Sequence, residues 1–203
     1  MAAISLADVS LRYGRKVVLD KVSLCLEPGD IVGLLGPGGG GKTQLIKVMT
    51  TLKQPRRGKV EMFGVRMHWA NRTALRVARR RLGLQFQNFA LFDSMTVFDN
   101  VAFSLRHGKR MTAEAIDTAV NRALSLVGLV RSKKAFPVEL SGGMRRRVAI
   151  ARVMAARPDL AVFDDPVAGL DPINSAKIMA LLKEFATETG FITVIATPDL
   201  ERL

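Results

Sequence analysis

Two adjacent carboxylates, Asp164 and Asp165, end the apolar run "DLAVFDD". Adjacent like charges repel each other, and burying a carboxylate is costly unless it is paired or bound to a metal ion. Two interpretations are therefore open. The run is a strand whose end meets water, or it is a site where one acid holds a cation and the other holds a water molecule. Motifs elsewhere in the chain are needed to choose between them.

A glycine-rich stretch, "GPGGGGKT", matches the P-loop pattern G-x-x-x-x-G-K-[ST] and lies between an apolar run and a helical pattern. Glycines let the backbone wrap an anion with its N–H groups, and a helix N-terminus adds positive potential. Lys42 would contact the β- and γ-phosphates of ATP, and the Thr43 hydroxyl would join a Mg²⁺ shell. The nucleotide-binding residues predicted from this motif are Gly36, Pro37, Gly38, Gly39, Gly40, Gly41, Lys42 and Thr43.

The P-loop favours the metal interpretation of the acid pair. An aspartate at the end of a second apolar strand is a feature that binds Mg²⁺ beside a P-loop. We therefore expect Asp164 to join the metal shell. Asp165 would face the γ-phosphate and polarise the attacking water, which makes it the predicted catalytic acid.

Strand and helix patterns alternate along the chain and must position these residues. Residues 4–32 predict short strands, and "IVGLLG" predicts a parallel strand buried on both faces. The other predicted strands are "GKVEMFG", "DLAVFD" and "FITVIAT", and the predicted helical regions are 42–51, 72–82, 96–135, 143–156 and 173–189. This alternation predicts an α/β domain with a parallel sheet.

The composition limits the class of protein. The chain has 203 residues, of which 48% are hydrophobic, and a net charge of +13. No apolar stretch approaches the roughly 18 residues that span a bilayer, the start lacks a secretory pattern, and Cys25 is the only cysteine. These features favour the cytosol. The basic clusters Arg76–Arg81, Arg106–Arg110 and Arg145–Arg147 are each expected to be solvated helix faces.

The segment "LSGGMRRRVAIARVMAARPDLAVFDDPVAGLDP" resembles the signature helix, Walker B strand and D-loop of ATP-binding-cassette (ABC) ATPases. With the P-loop it gives three separated motifs in the order of that family, and the resemblance runs from about Ile4 to Leu203. The family's fold is α/β, with a P-loop NTPase (RecA-like) parallel-sheet core, an N-terminal antiparallel β subdomain and an inserted α-helical subdomain.

The resemblance implies roles for further residues. Tyr13 would stack on adenine, although a tyrosine near a strand end is often only half-buried filler. Gln87 would contact the metal and the water, so the implied Mg²⁺ ligands are Thr43, Gln87 and Asp164. The signature residues Ser141, Gly142 and Gly143 would close on an ATP held by a second subunit, although Ser141 also fits a simple helix N-cap. Asp171 would lie at the dimer contact.

The resemblance also predicts the domain boundaries. Residues 1–203 would form a single nucleotide-binding domain. Its core and β subdomain would be built from about 1–86 and 157–203, and the helical subdomain from about 87–156. The chain stops five residues after Pro198, so we expect its C-terminal end to be truncated relative to the family.

Two kinds of partner follow from the resemblance. A second copy would form a head-to-tail dimer with two-fold symmetry. An integral membrane permease would dock on apolar residues near Gln87, namely Phe89, Leu91, Phe92 and Met95. The protein would then be peripheral on the cytosolic face of the inner (plasma) membrane.

The string "RRRLGLQFQNFALFDSMTVFDNVAFSLR" and Met144 resemble the ATPase of Mce-type phospholipid transporters, which maintain lipid asymmetry in Gram-negative bacteria. This implies lipid transport and a substrate-binding Mce-type partner. An amino-acid or other small-solute importer is the alternative within the family. A nucleic-acid machine is disfavoured, because the span between Thr43 and Ser141 is too compact for the long arms of DNA-repair relatives.

Two departures from the family pattern predict slow hydrolysis. Asp165 stands where relatives usually carry glutamate, and Pro198, in "ATPDL", stands where they usually carry a switch histidine. Both positions act on the same chemical step. A degenerate subunit that hydrolyses weakly or not at all, with a regulatory role, is therefore a further alternative.

Overall fold

An antiparallel sheet forms the first part of the structure, a computed structural model that describes residues 3–108 and 111–198. Its strands are β1 (Ile4–Tyr13), β2 (Lys16–Leu26), β4 (Arg57–Met62) and β5 (Val65–Arg66), in the order β2-β1-β4-β5. Ile4 and Leu6 of β1 are buried, and after an irregularity in the pairing so are Val9 and Leu11. This is the period of two that places one face of a sheet against a core.

The parallel sheet consists of β3 (Ile31–Leu35), β6 (Leu82–Gln85), β7 (Leu160–Asp164) and β8 (Ile192–Thr197), in the order β3-β8-β7-β6. Strands β7 and β8 are buried along their whole length, as predicted. The expectation that "IVGLLG" is buried on both faces is wrong. Strand β3 lies at an edge of the sheet in the described part of the chain, and Ile31 and Leu35 are nearly half exposed.

The helices are α1 (Lys42–Met49), α2 (Arg72–Arg79), α3 (Val97–Gly108), α4 (Ala113–Leu126), α5 (Gly142–Ala156) and α6 (Pro172–Thr189). Helices α3, α4 and α5 pack together and are inserted between β6 and β7. The predicted fold class is therefore confirmed, while the boundaries of the subdomains stay a prediction. The short strand β6 was not predicted, because its four residues adjoin a basic helical pattern.

Two apolar cores lie on opposite faces of the parallel sheet. Leu160 and Val162 of β7 belong to the core shared with the antiparallel sheet and α1. Ala161 and Phe163 of the same strand belong to the core shared with the inserted helices. Successive side chains of a strand point to opposite faces, so a continuous apolar run can join two cores.

The carboxyl ends of three parallel strands meet at one edge of the sheet. Leu35 pairs with Thr197, and Asp164 pairs with Ala196. The P-loop after β3, the acid pair at the end of β7 and Pro198 after β8 therefore converge. This edge is where ligands bind in open α/β sheets.

The basic cluster Arg145–Arg147 is not a solvated helix face. The Arg145 guanidinium donates to the carbonyl oxygen of Leu140 at 3.0 Å, Arg147 donates to that of Val127 at 3.0 Å, and Arg146 is buried. Arg106 of the second cluster pairs with Asp99 at 2.9 Å, while residues 109 and 110 lie outside the described residues. Among the described residues, no helix is both long enough and apolar enough to cross a membrane.

Candidate active site

The P-loop passes into α1 through Gly41, which has a backbone φ of 93°. A Cβ at this position would lie 2.8 Å from the carbonyl oxygen of Val18, closer than carbon and oxygen can approach. Only glycine fits there without strain. No side chain caps α1, so the N–H groups of its first turn are available to an anion.

Lys42 is held against the P-loop by its own backbone. Its Nζ donates to the carbonyl oxygens of Gly36 at 2.5 Å and Pro37 at 3.0 Å. An ammonium group has three donors, so one of them is left for a phosphate oxygen while the two carbonyls are bound. These hydrogen bonds hold a cation at the loop that is predicted to bind the phosphates.

Thr43 and Asp164 meet at the end of β7. The Thr43 hydroxyl donates to Oδ2 of Asp164 at 2.9 Å, and Asp164 is only 5% exposed. Ligands at neighbouring octahedral positions around Mg²⁺, each about 2.1 Å from it, lie about 3 Å apart. The two oxygens therefore have the spacing and the chemistry that Mg²⁺ requires.

Asp165 has a left-handed backbone, with a φ of 52°, and its N–H donates to the carbonyl oxygen of Ala196 at 2.8 Å. Aspartate tolerates this conformation better than most residues. Arg146 of α5 lies near its carboxylate: burial lowers the pKa of the Arg146 guanidinium, and the negative charge of Asp165 opposes that shift. Sequence reasoning missed Arg146, because only folding brings this residue of α5 near Asp165.

One cleft of about 390 Å³ gathers nearly all of the residues predicted to bind ATP. Its lining residues are Tyr13, Lys16, Val18, Gly38, Gly39, Gly40, Gly41, Lys42, Thr43, Gln44, Gln87, Asp164, Asp165 and Pro198. Gly36 and Pro37, at the start of the loop, are not among them. Lys16, Val18 and Gln44 were not predicted, since no motif marks them and the β1–β2 hairpin brings the first two there.

Tyr13 lies at the rim of this cleft. Its hydroxyl donates to Oε1 of Gln44 at 2.8 Å, and 46% of Tyr13 is exposed. Lys53 Nζ lies 5.2 Å from the ring centroid. The ring is thus fixed at one end and accessible on its surface, as a stacking platform for a base would be.

The signature residues do not lie in this cleft. Ser141 and Gly143 line a separate cleft of about 500 Å³, and Gly142 begins α5. Ser141 accepts a hydrogen bond from the Met144 N–H at 3.2 Å, so it is a helix N-cap. These residues do not line the P-loop cleft of the same chain, and their predicted contact with a nucleotide held by a second subunit stays a prediction.

Asp171 is the N-cap of α6. It accepts hydrogen bonds from the backbone N–H of Asn174 at 3.0 Å and from its side chain at 2.6 Å. These hydrogen bonds hold the pKa of Asp171 below its ordinary value. The carboxylate is exposed and charged, and its predicted contact with a second subunit stays a prediction.

The loop after Gln87 is held by a residue of α5. Phe89 and Ala90 have left-handed backbones, and their carbonyl oxygens accept from Arg152 at 2.8 and 2.7 Å. Burial lowers the pKa of the Arg152 guanidinium. Arg152 therefore ties the predicted metal-contacting loop to the signature helix.

Replacing Arg152 with methionine should reduce the free energy of unfolding by about 1–3 kcal/mol, because the carbonyl oxygens of Phe89 and Ala90 lose their charged hydrogen-bond donor. Arg152→Lys should lose less, since one ammonium group keeps the charge but cannot span both carbonyls as a planar guanidinium does. Urea unfolding measures the difference. Arg122→Met, on the exposed face of α4, is the control and should change stability by less than about 0.5 kcal/mol. An Arg152→Met protein as stable as the control would contradict the anchoring role.

Comparison with known proteins adds an independent finding. The model of a family described as "ABC transporter" matches residues 19–168. The chain is 36% identical over 197 residues to the intermembrane phospholipid transport system ATP-binding protein MlaF of Escherichia coli, covering 97% of this chain and 73% of that protein. It is 37% identical over 198 residues to the methionine import ATP-binding protein MetN of Mesorhizobium japonicum, covering 98% of this chain and 54% of that protein.

A solved structure gives the same result for the fold. The dimeric structure of MJ0796, described as a bacterial ABC transporter cassette, superposes with a TM-score of 0.90 at 31% sequence identity. The match covers 98% of this chain and 89% of that one. Both the sequence and the arrangement of strands and helices therefore agree over nearly the whole chain.

Proposed function

The chain belongs to the ABC transporter family and is the ATPase subunit of a transporter, and from this premise we propose that it uses Mg²⁺-ATP to drive the movement of phospholipid. The observation that carries the nucleotide chemistry is the contact of Thr43 with Asp164 at 2.9 Å, beside the P-loop. It joins a hydroxyl and a buried carboxylate at the one edge where the loop after β3 and the acid pair after β7 converge.

Each residue that the sequence predicts for this site then has a proposed task. The P-loop N–H groups and Lys42 bind the phosphates, Tyr13 stacks on the adenine, and Thr43, Asp164 and Gln87 hold the metal. Bound there, Mg²⁺ would neutralise charge on the β- and γ-phosphate oxygens. Asp165 orients the attacking water and accepts its proton.

A second copy of the chain is the proposed partner for hydrolysis. Ser141 lies in a cleft that shares no lining residue with the P-loop cleft of the same subunit. A head-to-tail pair with two-fold symmetry would bring Ser141 of the partner subunit to each nucleotide. The N–H groups at the start of α5 would then face the γ-phosphate.

An integral membrane permease is the second proposed partner. An apolar groove of about 310 Å³ lies beside the Gln87 loop and is lined by Phe92 and Phe103, whose rings are 4.6 Å apart. Of the four apolar residues predicted to receive the permease, only Phe92 lines this groove, while Leu91 packs against the helical core. We propose that a short permease helix docks there, which places the protein on the cytosolic face of the inner (plasma) membrane.

Phospholipid is the proposed cargo, with a substrate-binding Mce-type protein as a further partner. The MlaF relative is named as a phospholipid transport ATPase, and this chain spans more of its length than of the importer relatives. Met144 and the segment around Phe92 support the same branch of the family.

Methionine or another small solute is the second candidate, because importer relatives are equally similar. A MetN relative from Salmonella paratyphi A is 40% identical over 182 residues, and the chain spans about half of that protein. Identity over the shared region alone does not separate the two cargoes.

The decisive experiment starts from the tagged chain expressed in its source organism. We expect an integral membrane protein to co-purify with it from detergent-solubilised membranes, and ATP hydrolysis by the reconstituted complex to rise with phospholipid but not with L-methionine. Phe92→Glu should abolish co-purification, whereas Val138→Glu, on an 83% exposed residue that does not line the groove, should not. Recovery without any integral membrane protein would reject the permease. Stimulation by methionine alone would replace lipid with the second candidate.

A further inference from the structure

A second and larger cleft, of about 660 Å³, lies between α2 and α3. It shares no lining residue with the P-loop cleft. Four arginines line it, Arg72, Arg76, Arg79 and Arg80, and no aspartate or glutamate does. Such a concentration of one sign of charge in a concave site raises the local potential for an anion.

The stability of α2 does not explain all four arginines. Cations near a helix C-terminus are favourable, which would account for the last three. Arg72, however, is the first helical residue, where the helix dipole disfavours a cation. Arg72 and Arg76, like Arg76 and Arg80, are also four residues apart, a spacing at which like charges destabilise a helix.

Most of this hydrogen-bonding capacity is unused. Arg79 is fixed, because its guanidinium donates to the Thr51 carbonyl oxygen at 2.6 Å and to its hydroxyl at 3.1 Å. The guanidinium groups of Arg72, Arg76 and Arg80 make no hydrogen bond or ion pair with any described residue. Guanidinium groups donate only, and their planar fork matches phosphate oxygens.

Two buried donors lie among the same lining residues. The indole Nε1 of Trp69 and the hydroxyl of Ser104 are buried and have no hydrogen-bond partner in the described part of the chain. A buried donor left unsatisfied costs about 1–3 kcal/mol, so such groups usually have a partner. The guanidinium groups are thus the donors that an anion can reach, and because no carboxylate lines the cleft, an acceptor-rich anion would complement them.

We propose that this arginine cleft, the cleft lined by Trp69 and the four arginines, binds a phosphate-type oxyanion. The phosphate belongs either to a free phosphorylated compound or to a lipid headgroup. The cleft adjoins the apolar groove beside the Gln87 loop and shares Leu82, Ser104 and Ala156 with it. If the permease docks in that groove, the arginine cleft would lie on the side of the protein that faces the permease.

Trp69 is the only tryptophan of the chain, so its fluorescence reports on the cleft directly. Inorganic pyrophosphate, titrated at constant ionic strength, should change this fluorescence saturably. The same change should occur in Lys42→Ala, in which the P-loop lacks its cation. Binding in the arginine cleft is thereby separated from binding in the P-loop, and the result does not depend on the proposed transport function.

The paired variant Arg72→Gln with Arg76→Gln should weaken this response by at least about tenfold, since each charge-assisted hydrogen bond contributes that much. Arg122→Gln with Arg131→Gln removes the same charge from exposed positions outside the cleft and is the matched control. Far-UV circular dichroism verifies that both proteins are folded. If the two paired variants respond to pyrophosphate equally, the response depends on net charge alone, and the proposal is overturned.

Vesicles distinguish the two sources of phosphate. A response to pyrophosphate that vesicles do not reproduce assigns the cleft to a free phosphorylated compound. A response to phosphatidylglycerol vesicles, absent with phosphatidylcholine and lost in the Arg72→Gln, Arg76→Gln variant, assigns it to an anionic lipid headgroup. Silence of Trp69 with both probes would overturn the proposal.

Discussion

Replacement of Lys42 with alanine should weaken ATP binding by about 10- to 100-fold, because a hydrogen bond to a charged group contributes about 1.5–3 kcal/mol. In the structure the Lys42 ammonium is held by the carbonyl oxygens of Gly36 and Pro37, so the cation is in place before the phosphates arrive. Its removal should leave the fold intact, since Gly41 rather than Lys42 determines the backbone of the loop.

Lys47→Ala is the matched control for this prediction. Lys47 lies in the last turn of the same helix and does not line the cleft, so its loss removes an equal charge without touching the nucleotide. Isothermal titration with Mg²⁺-ATP measures both affinities. If Lys42→Ala binds ATP as tightly as Lys47→Ala, the P-loop assignment is wrong.

Turnover of the parent protein should lie well below the ~1 s⁻¹ low end of typical enzymes, and Asp165→Glu with Pro198→His should raise it by about 10²-fold. The Asp165 carboxylate is one C–C bond, about 1.5 Å, shorter than that of glutamate. A misplacement of about 1 Å can cost on the order of 10²-fold in rate. Pro198 lines the cleft but offers no imidazole to orient the water or to contact the γ-phosphate.

The rate gains from the two substitutions should not multiply fully, because both substitutions act on one chemical step. Asp165 also has a left-handed backbone, which glutamate tolerates less well, so the gain of the single Asp165→Glu variant should be smaller than the 10²-fold limit. Phosphate release by the assembled complex, under saturating ATP, is the measurement.

Asp165→Asn serves as the control for the double variant. It should remove the remaining turnover while ATP affinity changes little, because phosphate binding rests on the P-loop backbone, Lys42 and Mg²⁺. A parent that already turns over at tens per second would refute the prediction of slow hydrolysis. A folded, ATP-bound double variant that is no faster would show that another feature limits the rate.

Local sequence patterns determined much of this protein. The P-loop requires glycines, a lysine and a threonine within eight consecutive residues, so its chemistry is visible without a fold. The strand "DLAVFD" and its acids were predictable for a similar reason. A strand whose two faces are both buried has an unbroken run of apolar residues, which is visible in the sequence. The N-caps Ser141 and Asp171 also depend only on residues three positions away.

Tertiary structure alone decided which distant residues meet. "IVGLLG" has the pattern of a central strand, yet among the described residues it lies at the sheet edge, because strand order depends on pairing between segments far apart in sequence. Arg146 belongs to a basic cluster that is predicted to be solvated, but it is buried in the folded protein, near Asp165. Arg152 is half-buried and binds the loop after Gln87. The arginine cleft arises in the same way. Helix periodicity places its arginines near one another, but only the folded chain brings α2 and α3 to one cleft, where these arginines lie beside Trp69 and Ser104.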